Sequence, residues 1–125
     1  MPLISKTISI KVPVHIIYRA LKDSRLEKLF PEYFIGVKRK IAVDKENKEL
    51  TFETTTQASP VQIIENFRLI ISGDNCTDVK YDTETNVEEN DVVVQSIVQT
   101  HIANILYSLL MLETGYINGL MKKRE

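Results

Sequence analysis

The stretch DVVVQSIVQTHIANILYSLLMLETGYINGLMKK (91–123) repeats apolar residues at steps of three and four: Val94, Val98, His101, Ile105, Leu109, Leu112, Tyr116 and Leu120. That spacing is one face of an α-helix. At 1.5 Å per residue it predicts a helix roughly 50 Å long, more than a domain of this size needs for packing alone. Asn90 or Asp91 can cap its start, and Lys122, Lys123 and Arg124 suit the negative end of its dipole. A second apolar row, Ala103, Leu106, Leu110, Ile117 and Met121, lies well round from the first. It predicts cover on more than one side, either from a homodimer with its two-fold axis near Leu110 or from the short N-terminal helices. The uninterrupted apolar run is about half the length of a membrane span, and its flanks are polar. Gly115 and Gly119 sit beside the main face, where a missing side chain leaves room. A long helix with local space on its apolar face reads as a lid.

Outward from that helix the rest of the chain is short-period. Ile4, Ile8, Ile10 and Val12 alternate with polar residues, a half-buried strand. Pro13 opens a short helix with Val14, Ile17, Tyr18 and Leu21 on one face. Ser24 and Glu27 read as a capping box for a second short helix, which Pro31 ends. From Tyr33 to Val87 the period is two. Ile35, Val37, Ile41 and Val43 form one strand face, and Leu50, Phe52, Thr54 and Thr56 a second. Val61, Ile63, Phe67, Leu69 and Ile71 form a third; Val79, Tyr81, Thr83, Thr85 and Val87 form a fourth. Short polar turns between alternating strands predict an antiparallel meander with one wet face. The fold class is α+β: a curved sheet of five or six strands wrapped on the long helix, with two short helices after the first strand.

Composition bounds the function. The 125 residues, 43% hydrophobic, suffice for one domain, 1–125, with one core. A net charge of −1 leaves no footprint for nucleic acid. The single Cys76 precludes an internal disulfide and a multi-cysteine zinc site, and no metal set or cofactor fingerprint emerges. The N-terminus lacks a charged-then-apolar signal pattern, so the expected location is the cytoplasm.

The inward strand faces carry polar residues where a sheet packed directly on a helix is normally aliphatic. Arg39 is in phase with Val37 and Ile41, Glu65 with Ile63 and Phe67, and Thr54, Thr56, Tyr81, Thr83 and Thr85 point the same way. An unpartnered buried polar group costs about 1–3 kcal/mol. Either a bulge turns Arg39 or Glu65 outward, or sheet and helix enclose a cavity whose polar groups meet a ligand, water or each other. If both point inward, their strands are separated by one other, roughly 10 Å apart, within joint reach of two long side chains. His101 on the main helix face is a titratable candidate, or simply a core histidine bonded to a neighbour. His15 lies off its helix's apolar face and is expected in water.

The opening TISIKVPVHIIYRALKDSRLEKLFPEYF (7–34), followed by a meander and a long closing helix, resembles the START-like, birch-pollen-allergen-like helix-grip superfamily over nearly the whole chain. The short length and the glycines of the last helix are most similar to a small family of thermoacidophilic archaea thought to carry long-chain fatty acids. The larger relatives have more strands before the last helix, so the size and closure of any pocket are open. The resemblance implies a non-enzymatic carrier holding an apolar ligand between sheet and helix. From the sheet the ligand-binding candidates are Arg39, Phe52, Thr54, Glu65, Phe67 and Tyr81, with Arg39 or Tyr81 meeting a carboxylate. From the helix they are His101, Ile105, Leu109, Leu112, Tyr116 and Gly119. The alternatives are a cyclase or aromatase using Glu65 or His101 as acid or base, and a partner-binding module with a solid core.

Overall fold

The computed structural model describes residues 3–56, 59–86 and 92–119, without the side chains of residues 3 and 59–61. The elements are β1 (Leu3–Ile10), α1 (Val14–Lys22), α2 (Arg25–Leu29), a 3₁₀ turn (Pro31–Tyr33), β2 (Val37–Lys45), β3 (Glu49–Thr56), β4 (Ser59–Gly73), β5 (Cys76–Thr85) and α3 (Val92–Ile117). The five strands form one antiparallel sheet in the order β1-β5-β4-β3-β2. The order and class match the reading above, at the lower of its two strand counts.

Alternation decides which face of the sheet is inner. Leu50, Phe52 and Thr54 on β3, Ile63, Glu65, Phe67 and Leu69 on β4, and Thr77, Val79, Tyr81, Thr83 and Thr85 on β5 are all buried. α3 covers this face with Val98, His101, Ile102, Ile105, Ser108, Leu109 and Leu112. Ser108 is the polar member, and it donates to the Ile105 carbonyl at 2.7 Å, which lets a hydroxyl sit in an apolar seam. α1 packs on β3 and β4 with Ile16, Ile17, Tyr18, Ala20 and Leu21, a wider face than the spacing predicted. By length and composition α3 would also suffice to cross a membrane; its buried side makes it the core helix of this fold.

Five local expectations differ from the structure, each for a physical reason. β2 slips register between Ile41 and Val43, so Val43 pairs with Thr51 on the outer face and Asp44 with Leu50 on the inner one. Asp44 then takes a hydrogen bond from Tyr18 and an ion pair from Lys22 at 3.0 Å. Ile35 precedes the strand and is 79% exposed, and Ile71, beside a second irregularity at the end of β4, is 71% exposed. The Ser24–Glu27 box does not form: Ser24 turns the chain between α1 and α2 with φ 55 and makes no side-chain cap, and Glu27 is drawn to Arg39 instead. α3 ends at Ile117, not at residue 123, because Gly119 takes φ 80, the left-handed conformation that closes helix ends. Leu120, Met121, Val87, the basic residues 122–124 and the caps Asn90 and Asp91 lie outside the described residues. The second row of α3 is largely open, with Leu110 46% and Ile117 61% exposed.

Candidate functional site

The five polar candidates converge. Glu65, at the centre of β4 and fully buried, accepts hydrogen bonds from Thr54 on one oxygen and from Tyr81 on the other. His101 Nε2 reaches the Tyr81-bonded oxygen at 3.0 Å, and Arg39 Nε lies 3.4 Å from the other. Arg39 extends the chain of charges to Glu27 of α2, at 3.0 Å. Six elements, α2, β2, β3, β4, β5 and α3, are thus tied through one buried carboxylate. The bulge considered in the sequence exists, but it falls beyond Arg39, so both Arg39 and Glu65 keep their inward phase.

Electrostatics follow from this packing. Burial alone would raise the Glu65 carboxyl, yet the facing His101 and Arg39 and the hydrogen bonds from His101 and Thr54 hold it at about 2. Burial pushes the Tyr81 hydroxyl well above its ordinary range, and the neighbouring Glu65 charge adds to this. At neutral pH the centre holds an ionised glutamate and a neutral phenol. Aromatic rings wall it in. The Arg39 guanidinium lies 3.9 Å from the Phe52 ring centre, Phe67 meets Phe52 edge-on, and Phe67 stacks on Tyr81 at 4.7 Å. Between sheet and helix the interior is therefore packed at this level.

Open space lies at one end of it. A groove of about 430 Å³ runs between the segment after α2, the end of β3 and the first half of α3. Tyr33, Ile35, Val37 and Ile97 supply its apolar lining; Glu32, Thr56, Thr100, His101 and Asn104 supply its polar one. His101 borders the groove and holds Glu65 from behind it. A second depression, about 300 Å³, crosses the sheet at residues 38–40, 53–55 and 62–64, so that the candidates Arg39 and Thr54 border it together with the outward Lys38, Lys40, Glu53 and Thr55.

Of the residues named in advance, His101 alone borders the groove. Arg39, Thr54, Glu65 and Tyr81 form the network behind it, with Phe52 and Phe67 packed beside them. Ile105, Leu109 and Leu112 are core residues further along α3, and Tyr116 is partly buried there. Gly119 is a helix terminator, with nothing within 4 Å of where a Cβ would stand. Glu27 was hidden by its plausible role as a cap. The groove residues of α3, Ile97, Thr100 and Asn104, lie one step round from the His101 row, outside the apolar stripe that the spacing marks. A signal for them was available, since 97, 100, 101 and 104 share helical spacing.

No family model and no curated protein sequence matches the chain. Solved structures do. An HSP90 activator from Plasmodium falciparum aligns at TM-score 0.70 over 88% of this chain and 94% of its own, with 12% identity. A START superfamily protein from Mycobacterium smegmatis aligns at 0.64 over 91% and 98%, with 11% identity. The Aha1 dimer from Colwellia psychrerythraea aligns at 0.63 over 92% and 96%, with 19% identity. At such identities the likeness is one of architecture. The chain has the START-like helix-grip fold, five curved antiparallel strands closed by one long C-terminal helix.

Proposed function

We propose that the protein binds and carries a small apolar ligand in the groove beside His101. The observation that carries this reading is the groove itself. Its volume lies within the range of about 300–1,000 Å³ usual for small-molecule sites, and it combines an apolar wall with a few convergent polar groups. A long-chain fatty acid, the ligand implied by the resemblance to the archaeal carriers, is the first candidate to test. Arg39 does not line the groove, and its charge is paired with Glu27 and Glu65, so it is poorly placed to meet the carboxylate. Native mass spectrometry of the purified protein would look for a co-purifying lipid. A fluorescent apolar probe would then be titrated into wild type and Ile97→Glu. Loss of binding in Ile97→Glu at an unchanged fold is expected; equal binding would remove the ligand from the groove.

The cyclase-like alternative draws on the His101–Glu65 pair at the groove's edge. A carboxyl held at about 2 is a weak base, and a phenol pushed upward is a weak acid. Both properties favour a structural role for Glu65 and Tyr81 and, for these two groups, support a carrier over an enzyme. The exposed row of α3 supports the homodimer reading, with Leu110 at its centre. Sedimentation is expected to show a dimer that Leu110→Glu dissociates; a monomer in both at high concentration would contradict it.

A further inference from the structure

We infer that the groove takes an uncharged apolar molecule bearing a hydroxyl group, and discriminates against the carboxylate of the same hydrocarbon. This rests on the reading of the groove as the ligand site, and it concerns only what the head group must be.

The inference comes from counting charges and hydrogen-bond roles. Among the described residues that line the groove none is lysine or arginine, and the one full charge is the Glu32 carboxylate. The two candidates for a counter-charge, Arg39 and His101, already face carboxylates. Arg39 is paired with Glu27 and Glu65, and any positive charge on His101 faces the ionised Glu65 at 3.0 Å. An anionic head group would therefore enter a partly apolar space beside a like charge with no free counter-charge, which is costly.

The same inventory says what would fit. Glu32 can only accept hydrogen bonds. Asn104 gives its Nδ2 to the Tyr33 carbonyl at 3.3 Å, leaving Oδ1 as an acceptor. Thr56 Oγ1 is buried without a partner and can both donate and accept. The lining thus sets the acceptor-only Glu32 and the Asn104 Oδ1 beside two hydroxyls, Thr56 and Thr100, that can each donate and accept. A ligand hydroxyl complements this set: its proton goes to an acceptor, and its oxygen receives the Thr56 proton. An ether or ester supplies no proton, and a carboxylate supplies none while adding charge.

The test uses three probes of equal chain length: 1-decanol, decanoate and decyl methyl ether. They are titrated by calorimetry at a pH well above the carboxyl range. Decanol is expected to bind at least about tenfold more tightly than decanoate. The ether should be weaker than decanol by about three- to tenfold, the size of one net hydrogen bond. Glu32→Gln removes the like charge but keeps an oxygen that can accept, so it should raise decanoate affinity relative to decanol by about two- to fivefold, the size of one exposed charge interaction. Thr56→Val should lower decanol affinity about three- to tenfold. Decanoate binding as tightly as decanol, or unchanged in Glu32→Gln, would overturn the head-group inference; sensitivity of that decanoate to Ile97→Glu would show the groove reading intact. Failure of every probe to bind would overturn both.

Discussion

The inner face of the sheet has two ends that solve different problems. At one end Leu50, Leu69, Val79 and Ile10 are buried in one apolar cluster with Leu109 and Leu112 of α3, and Glu113 accepts a hydrogen bond from the Lys11 backbone at 2.6 Å. At the other end Thr54, Thr56, Glu65, Thr85 and His101 replace aliphatic residues, and the helix no longer seals the sheet. The same strands run through both. What changes along them is the chemistry of every second residue, which closes one end and leaves the other open as the groove.

The junction between the two ends is Glu65, so its removal should have the largest effect. Glu65→Gln leaves Arg39 buried without its central partner, at an expected cost of about 3–5 kcal/mol in urea denaturation. The same residue sets the acid limit. Its carboxyl is depressed from 4.5 to about 2, so the unfolded chain takes up the proton more readily than the folded one. The stability this supplies, of order 3 kcal/mol, is fully present above about pH 4.5 and is lost as the pH falls toward 2. In Glu65→Gln that part of the acid transition should vanish. An unchanged acid profile would mean that other carboxyls govern it.

A somewhat smaller loss should separate the ends. Leu109→Ala, at a fully buried position of the apolar end, is expected to cost about 2–5 kcal/mol while leaving ligand affinity unchanged at matched folded fraction. If affinity falls with stability, the ends are one unit and the comparison fails.

Much of this division was legible in the sequence. Period-two runs with polar turns gave the meander, and the residues breaking the aliphatic pattern, Arg39, Thr54, Glu65, Tyr81 and His101, are the ones that meet. Alternation reports which face a side chain occupies, and that sufficed to bring them together. What they would bind was less accessible. The Glu65 carboxylate takes all its partners from within the cluster, and the groove lies beside it, assembled from Tyr33–Val37, Thr56 and α3. Those pieces share no period. The β2 bulge near Ala42 carries no glycine or proline to announce it, and Glu27 matched a cap so well that its long-range partner was not sought. Gly119 was ambiguous in the other direction: glycine beside an apolar row reads as packing space or as a helix stop, and only the backbone angle separates the two.

The most direct test of the central claim, that ligand enters at the polar end and not within the core, is methyl NMR with 1-decanol added to saturation. The account predicts that the methyl signals of Ile35, Val37 and Ile97 shift while those of Val79, Leu109 and Leu112 stay in place. Shifts confined to Val79, Leu109 and Leu112, with the groove methyls unmoved, would contradict it.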